Sequence, residues 1–139
     1  MATTEVKETV NASAQSVWEI LGNFAGVQVG GPVTSVEVEG EGVGAVRTIG
    51  MGGAKVIERL EAFDAENMSL KYAIINDDCP LPVSNYSATI DVTANGESAC
   101  TVEWVGTYEP KGVPEDQASA IIGGIYAGGI AGARKATGG

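Results

Sequence analysis

"KVIERLEAFD", residues 55–64, decides how this chain is read. An extended chain points successive side chains to opposite faces. Lys55, Ile57, Arg59 and Glu61 then share one face, a largely charged set suited to water. Val56, Glu58, Leu60 and Ala62 share the other, which is apolar except at Glu58. This is the pattern of a half-buried strand carrying one inward carboxylate. Burying an unpaired charge costs several kcal/mol, so Glu58 needs a partner, water or a ligand. Pairing with Arg47, or reaching the rim, is the plain structural alternative.

The same alternation runs through the flanking segments. Met68, Leu70, Tyr72 and Ile74 oppose Ser69 and Lys71. Tyr86, Ala88, Ile90 and Val92 oppose Ser87, Thr89 and Asp91; Cys100, Val102, Trp104, Gly106 and Tyr108 oppose Thr101, Glu103 and Thr107. "ANGES" (94–98) joins the last two strands as a hairpin signal. Upstream, "VTSVEVEG" (33–40) and "AVRTIGM" (45–51) read as strands, and "TTEVKETV" (3–10) as a first strand with Val6 and Val10 on one face. Between them, Ser13 can cap a short helix with an apolar stripe of Val17, Trp18, Ile20 and Leu21, ended by Gly22. "AGVQVGGP" (25–32) is a Gly-rich loop or a broken second helical turn. Residues 115–137 read as one long helix, with Glu115 and Asp116 at its start and Arg134 and Lys135 near its end, as the helix dipole favours. A strand, short helices, six consecutive antiparallel strands and a long helix describe an α+β domain spanning 1–139. A curved sheet wrapped on one helix is its simplest packing.

Composition narrows the function. At 139 residues, 44% hydrophobic and 19% charged, the chain is globular and long enough for a core without staples. A net charge of −10 argues against nucleic acid and anionic membrane surfaces as partners. The absence of histidine removes Ser-His and Cys-His catalysis and the commonest transition-metal ligand. Cys79 and Cys100 form no C-x-x-C pair and read as two unrelated thiols. Asp77 and Asp78 are adjacent acids of a solvated loop, so no metal and no cofactor are expected. "MATTEVKETV" lacks an apolar h-region, which leaves a cytoplasmic location as the expectation.

The inward set gathers Glu58, Tyr72, Tyr86, Trp104 and Tyr108, with Arg47 on a neighbouring strand and Tyr126 on the helix as further candidates. Inward aromatics are usually core. Each tyrosine and tryptophan also brings a polar tip that needs a partner when buried. One acid, several phenols and an indole together resemble a lined pocket for a small apolar or aromatic molecule. The helix adds Gly123, Gly124, Gly128, Gly129 and Gly132, each costing a helix interior about 1 kcal/mol relative to alanine. These glycines either let the helix approach the sheet or leave room for a ligand. Gly124, Gly128 and Gly132 also form a G-x-x-x-G-x-x-x-G stripe, which suggests a homodimer as an alternative use. The uncharged run 118–133 is short for a membrane span.

Five stretches in register, "SVWEILGNF", "GVGAVRTI", "VIERLEAFD", "LPVSNYSATIDV" and "CTVEWVGTYEP", resemble the polyketide cyclase/dehydrase-like branch of the START/Bet v 1 (SRPBCC) superfamily. The resemblance implies a helix-grip fold: a curved seven-stranded antiparallel sheet gripping a long C-terminal helix, two short helices after the first strand, and a hydrophobic cavity between sheet and helix. It implies ligand contact at Glu58 and Tyr86, and places the loops that close over ligand at 50–54 and 77–82. The Trp and His that bacterial relatives often carry before the proline are replaced by Gly30 and Gly31, which suggests a wider cavity. Binding of a small hydrophobic or aromatic molecule is the leading expectation. The alternative is a cofactor-independent cyclase, dehydratase or isomerase with Glu58 as acid/base and Tyr86 or Tyr72 as the phenol that polarises a carbonyl.

Overall fold

The computed structural model describes residues 1–24, 26 and 33–139. Its elements follow the order β1 (Ala2–Val10), α1 (Ala14–Leu21), β2 (Ser35–Glu39), β3 (Val46–Met51), β4 (Ala54–Asp64), β5 (Ser69–Ile74), β6 (Val83–Ala94), β7 (Cys100–Pro110) and α2 (Glu115–Thr137). All pairings are antiparallel, and the strands form one seven-stranded sheet in the order β1-β7-β6-β5-β4-β3-β2. Wrapped on α2, this is the helix-grip architecture. The second short helix expected at 25–32 lies, but for Gly26, outside the described residues, as do Gly30 and Gly31.

Local chemistry explains the punctuation. The Ser13 hydroxyl accepts from the Ser16 backbone N–H and caps α1, which buries Val17 and Trp18 but leaves Ile20 exposed. The expected apolar stripe is therefore narrower than its sequence. α2 begins after Pro114, with Glu115 and Asp116 in its first turn, and ends at Gly138 in the left-handed region that glycine tolerates. No helix among the described residues is long and apolar enough to cross a membrane.

α2 packs against β1, β7 and α1 at one side of the sheet. Ala118, Ile122, Tyr126, Ile130 and Ala133 form its buried stripe. β2, β3 and β4 stand at the other side of the sheet order. The glycines divide accordingly. A Cβ on Gly129 would come within 2.7 Å of the Trp104 ring, so this glycine lets the helix close on the sheet. Gly124, Gly128 and Gly132 meet nothing within 4 Å and are exposed. Those three neither tighten the helix–sheet contact nor widen a cavity beneath it.

Candidate functional site

Cross-strand register sets the inner face in rows, because directly paired residues share a face. Val38 pairs with Arg47, Arg47 with Glu58, and Glu58 with Ile74. The next row runs Leu60, Tyr72, Ala88, Gly106 and Thr4. Glu58 is thus inward as its alternation requires, with Arg47 beside it. Arg47 Nε donates to Glu58 Oε1 at 2.6 Å, with side chains only 13% and 9% exposed. The guanidinium also donates to the Phe24 carbonyl at 3.0 Å. It lies over the Phe24 ring at 4.1 Å and faces the Tyr72 ring at 5.4 Å. The inward carboxylate is accordingly neutralised by a cation held between two aromatic faces.

One strand departs from simple alternation. A β-bulge between Leu60 and Ala62 shifts the register, so that Phe63 pairs with Leu70. Ala62, expected inward, is exposed. Phe63 instead turns its ring toward Trp18, with centroids 5.5 Å apart. The extra residue of a bulge reverses the parity of everything beyond it. A second register shift, between Ser84 and Ser87, accompanies Asn85 at φ 51° and precedes the inward row from Ala88; Tyr86 and Val83 are both buried there.

Beyond Tyr72 the polar groups form a chain. Trp104 Nε1 donates to the Tyr72 hydroxyl at 3.2 Å, the Tyr72 and Tyr86 hydroxyls are 3.0 Å apart, and Tyr86 is hydrogen-bonded in turn to Tyr126. The Trp104 and Tyr126 rings stack at 4.7 Å. Burial pushes the Tyr72, Tyr86 and Tyr126 phenols well above the ordinary tyrosine range; the nearby Glu58 charge adds to this at Tyr72. Gly106 is required here, since a Cβ at that position would collide with the Tyr126 hydroxyl. The Tyr108 hydroxyl is directed elsewhere, to Thr4 Oγ1 at 2.6 Å, in a contact that includes Ser119. The structure therefore brings together Arg47, Glu58, Tyr72, Tyr86, Trp104 and Tyr126. Tyr108 is fully buried and touches this group through its ring alone, 6.3 Å from that of Tyr86.

The open space lies beside this centre. A cleft of about 290 Å³ is lined by Gly22, Asn23, Phe24, Val38, Gly40, Glu41, Gly42, Ala45, Leu60 and Phe63. Its walls are mostly apolar. Phe24 belongs both to the cleft and to the Arg47 contact, and Leu60 is the cross-strand neighbour of Tyr72. Gly40 and Gly42 have φ of 84° and 67°, so the β2–β3 turn at the rim needs glycine for its backbone. Sequence reasoning missed Phe24 and Phe63. Phe24 sits in a loop with no periodicity to orient it, and Phe63 was hidden by the bulge. Of the loops expected to cover ligand, 50–54 spans the β3–β4 turn and contributes no residue to the wall of this cleft. The 77–82 loop, with a buried Cys79, contributes Asp77 to a smaller crevice of about 70 Å³ that includes Tyr86 and Asn76. Cys79 and Cys100 are both free thiols.

Comparison with known proteins agrees with this architecture. The family model described as polyketide cyclase/dehydrase and lipid transport matches residues 1–137. The chain belongs to that family. Among solved structures it is similar to an uncharacterized protein from Bacillus thuringiensis, at 32% identity and TM-score 0.84, covering 98% of each chain. It is also similar to the protein XoxI from Bacillus cereus, at 31% identity and TM-score 0.85, covering 99% of this chain and 96% of that one. Norcoclaurine synthase from Thalictrum flavum, solved with dopamine and hydroxybenzaldehyde, shares the fold at 21% identity and TM-score 0.71, over 96% of this chain and 83% of that one. No curated protein matches the sequence.

Proposed function

We propose that this protein binds a small apolar or aromatic molecule on the inner face of β2–β4. The ligand sits in the cleft walled by Phe24, Leu60 and Phe63, beside the Arg47 guanidinium that stacks on Phe24. One observation carries the reading. A buried, neutralised ion pair and a phenol chain stand beside an apolar cleft, and Phe24 belongs both to the cleft wall and to the Arg47 contact. Pockets for small molecules combine mostly apolar walls with a few placed polar groups. The family takes in both catalysis and transport, so membership does not choose between them. The binder is favoured because the cleft walls are mostly apolar and neither Glu58 nor a tyrosine is among the residues that line them.

Incubating the purified protein with a small-molecule extract of its own cells, read by mass spectrometry against a no-protein control, tests this. A compound retained unchanged on the protein is the expected result. A compound consumed as a new one appears would replace the binder with the cyclase, dehydratase or isomerase alternative. Turnover lost in Glu58→Gln would then assign Glu58 as its acid/base.

A further inference from the structure

The sheet ends in two edge strands, β1 and β2, and they differ in charge. An edge strand offers unpaired N–H and C=O groups to any strand that approaches. β2 turns Glu37 and Glu39 outward, so a second copy laid against it meets only like charge. β1 turns out Glu5 and Lys7, between Thr3 and Thr9. The Thr9 carbonyl accepts from Arg134 of α2, and alternation along an antiparallel ladder puts the backbone groups of Glu5 and Lys7 on that same open side. Among the described residues no backbone group outside the sheet bonds to them, and neither side chain is in an ion pair.

A two-fold axis through Val6 makes this edge self-complementary. Glu5 then faces Lys7 of a second copy, Lys7 faces its Glu5, and Thr3 faces its Thr9. The acid–base couples are also the residues whose backbone groups are free to bond across the new pair.

α2 repeats the symmetry at the same height. It runs along β1. Ser119 Oγ and Thr4 Oγ1 are 3.1 Å apart, and a Cβ on Gly123 would stand 3.6 Å from the Thr4 methyl and 4.0 Å from a Val6 methyl. Further on, Arg134 reaches Glu8 and Thr9. With about 1.5 Å per helix residue and about 3.3 Å per strand residue, Val6 is level with Ile125 and Tyr126. At about 100° per residue, the flank beyond these β1 contacts, away from the buried stripe, holds Ala120, Gly124, Ala127 and Ala131. It overhangs the open edge and carries nothing larger than a methyl group. The axis through Val6 sets Ala120 against Ala131 and Gly124 against Ala127 of the second copy, the small-on-small contact that lets two helices approach closely. It also sets Asp116 in the first turn against Lys135 in the last.

We propose that this chain pairs with a second copy of itself through β1 and the adjoining flank of α2, so that one antiparallel sheet runs across the two-fold axis. The charge order of the strand and the side-chain size on the helix place that axis independently at the same point. The couples neutralise the contact, where a chain of net charge −10 would otherwise repel its copy. Gly128 and Gly132 lie on the far side of Gly124, outside the contact. β2 ends the sheet on the opposite side, so the cleft of each copy stays clear of the pairing edge. The proposal does not depend on what that cleft binds.

Sedimentation equilibrium of the full chain from micromolar to millimolar concentration tests it. The mass should rise from that of one chain toward twice that value. Lys7→Glu turns both couples into like charges and should weaken association about tenfold, as should Glu5→Lys. Combining Glu5→Lys with Lys7→Glu should restore it. Both side chains are exposed, so the fold itself is spared. Hydrogen exchange gives a second readout: the Glu5 and Lys7 amides should slow as concentration rises, while those of Glu37 and Glu39 do not. A monomer at millimolar concentration overturns the proposal, whether the edge then takes a strand of another protein or none. A dimer indifferent to the charge exchange, with the Glu5 and Lys7 amides still fast, overturns the assignment of this face.

Discussion

The sheet carries two inward-facing carboxylates with arginine partners, and they sit in different surroundings. On β1, Glu8 faces inward with Val6 and Val10 and is held at 3.0 Å by Arg134 from the end of α2. Those side chains are 33% and 35% exposed, and Arg134 also donates to the Thr9 carbonyl. This pair clamps the helix terminus to the edge strand. Glu58 on β4 is paired more closely, at 2.6 Å, but it is buried and no helix partner among the described residues reaches it; its cation comes from the neighbouring strand and is stacked between Phe24 and Tyr72. On the β1–β7 side, α2 provides the cover, with Ile122, Tyr126 and Ile130 buried against the sheet. On the β2–β4 side an apolar cleft remains. The lesson is that an inward acid marks a candidate site only where nothing in the fold already needs it.

That contrast can be broken in several ways, and the largest effect concerns the phenols that bridge the two sides. Tyr72, Tyr86 and Tyr126 hold their protons above the ordinary tyrosine range because burial disfavours the anion. The folded state therefore binds more protons than the unfolded state once pH exceeds about 10, and stability must fall as pH rises. Each phenol contributes roughly 1.4 kcal/mol per pH unit in that window, about 4 kcal/mol for the three together. Absorbance at alkaline pH should show these phenols ionising only as the fold is lost, with circular dichroism changing in step. Ionisation of all of them in a still-folded protein would contradict the sealed chain.

The two carboxylates should then separate by substitution. Glu58→Ala leaves a cation with little access to water and should cost about 3 kcal/mol. Glu8→Ala opens a half-exposed pair and should cost no more than about 1 kcal/mol. Urea unfolding of both variants makes the comparison, and equal losses would erase the distinction.

Glycine provides the next test. Gly106→Ala drives a methyl into the Tyr126 hydroxyl and should destabilise by about 2 kcal/mol through overpacking. Smallest of all, Gly128→Ala on the open face of α2 should stabilise by up to about 1 kcal/mol. Gly129→Ala, one residue on, should forfeit that gain against Trp104. Matched thermal melts decide it. A loss of stability at Gly128 would show that something covers the outer face of the helix.

Much of this was legible in the sequence for a simple reason: strands with one face in water declare their parity. Tyr72, Tyr86, Trp104 and Glu58 were placed inward by alternation alone, and α2 by its charged ends. Tyr108 was also inward, yet its hydroxyl serves Thr4, because alternation gives a face and not a partner. Phe63 and Ala62 exchanged places at a bulge that leaves no mark in "RLEAF". Phe24 could not be oriented at all, since it lies in a loop, and it proved to be the residue between cleft and ion pair. The five helix glycines were read together as closing on the sheet or leaving room for a ligand. Gly129 does the first. Gly124, Gly128 and Gly132, whose spacing also suggested a homodimer, meet no sheet residue, because spacing shows that three residues share a face without showing which face it is.

A ligand on the side of the sheet that α2 leaves uncovered would be seen by amide chemical-shift mapping during an NMR titration with a small aromatic such as 2-acetylnaphthalene. Saturable shifts are expected at Phe24, Val38, Gly42, Ala45, Leu60 and Phe63, with the amides of Gly124 and Ile125 unmoved. Saturable shifts centred on Ile121, Gly124 and Ile125, with the cleft silent, would contradict it.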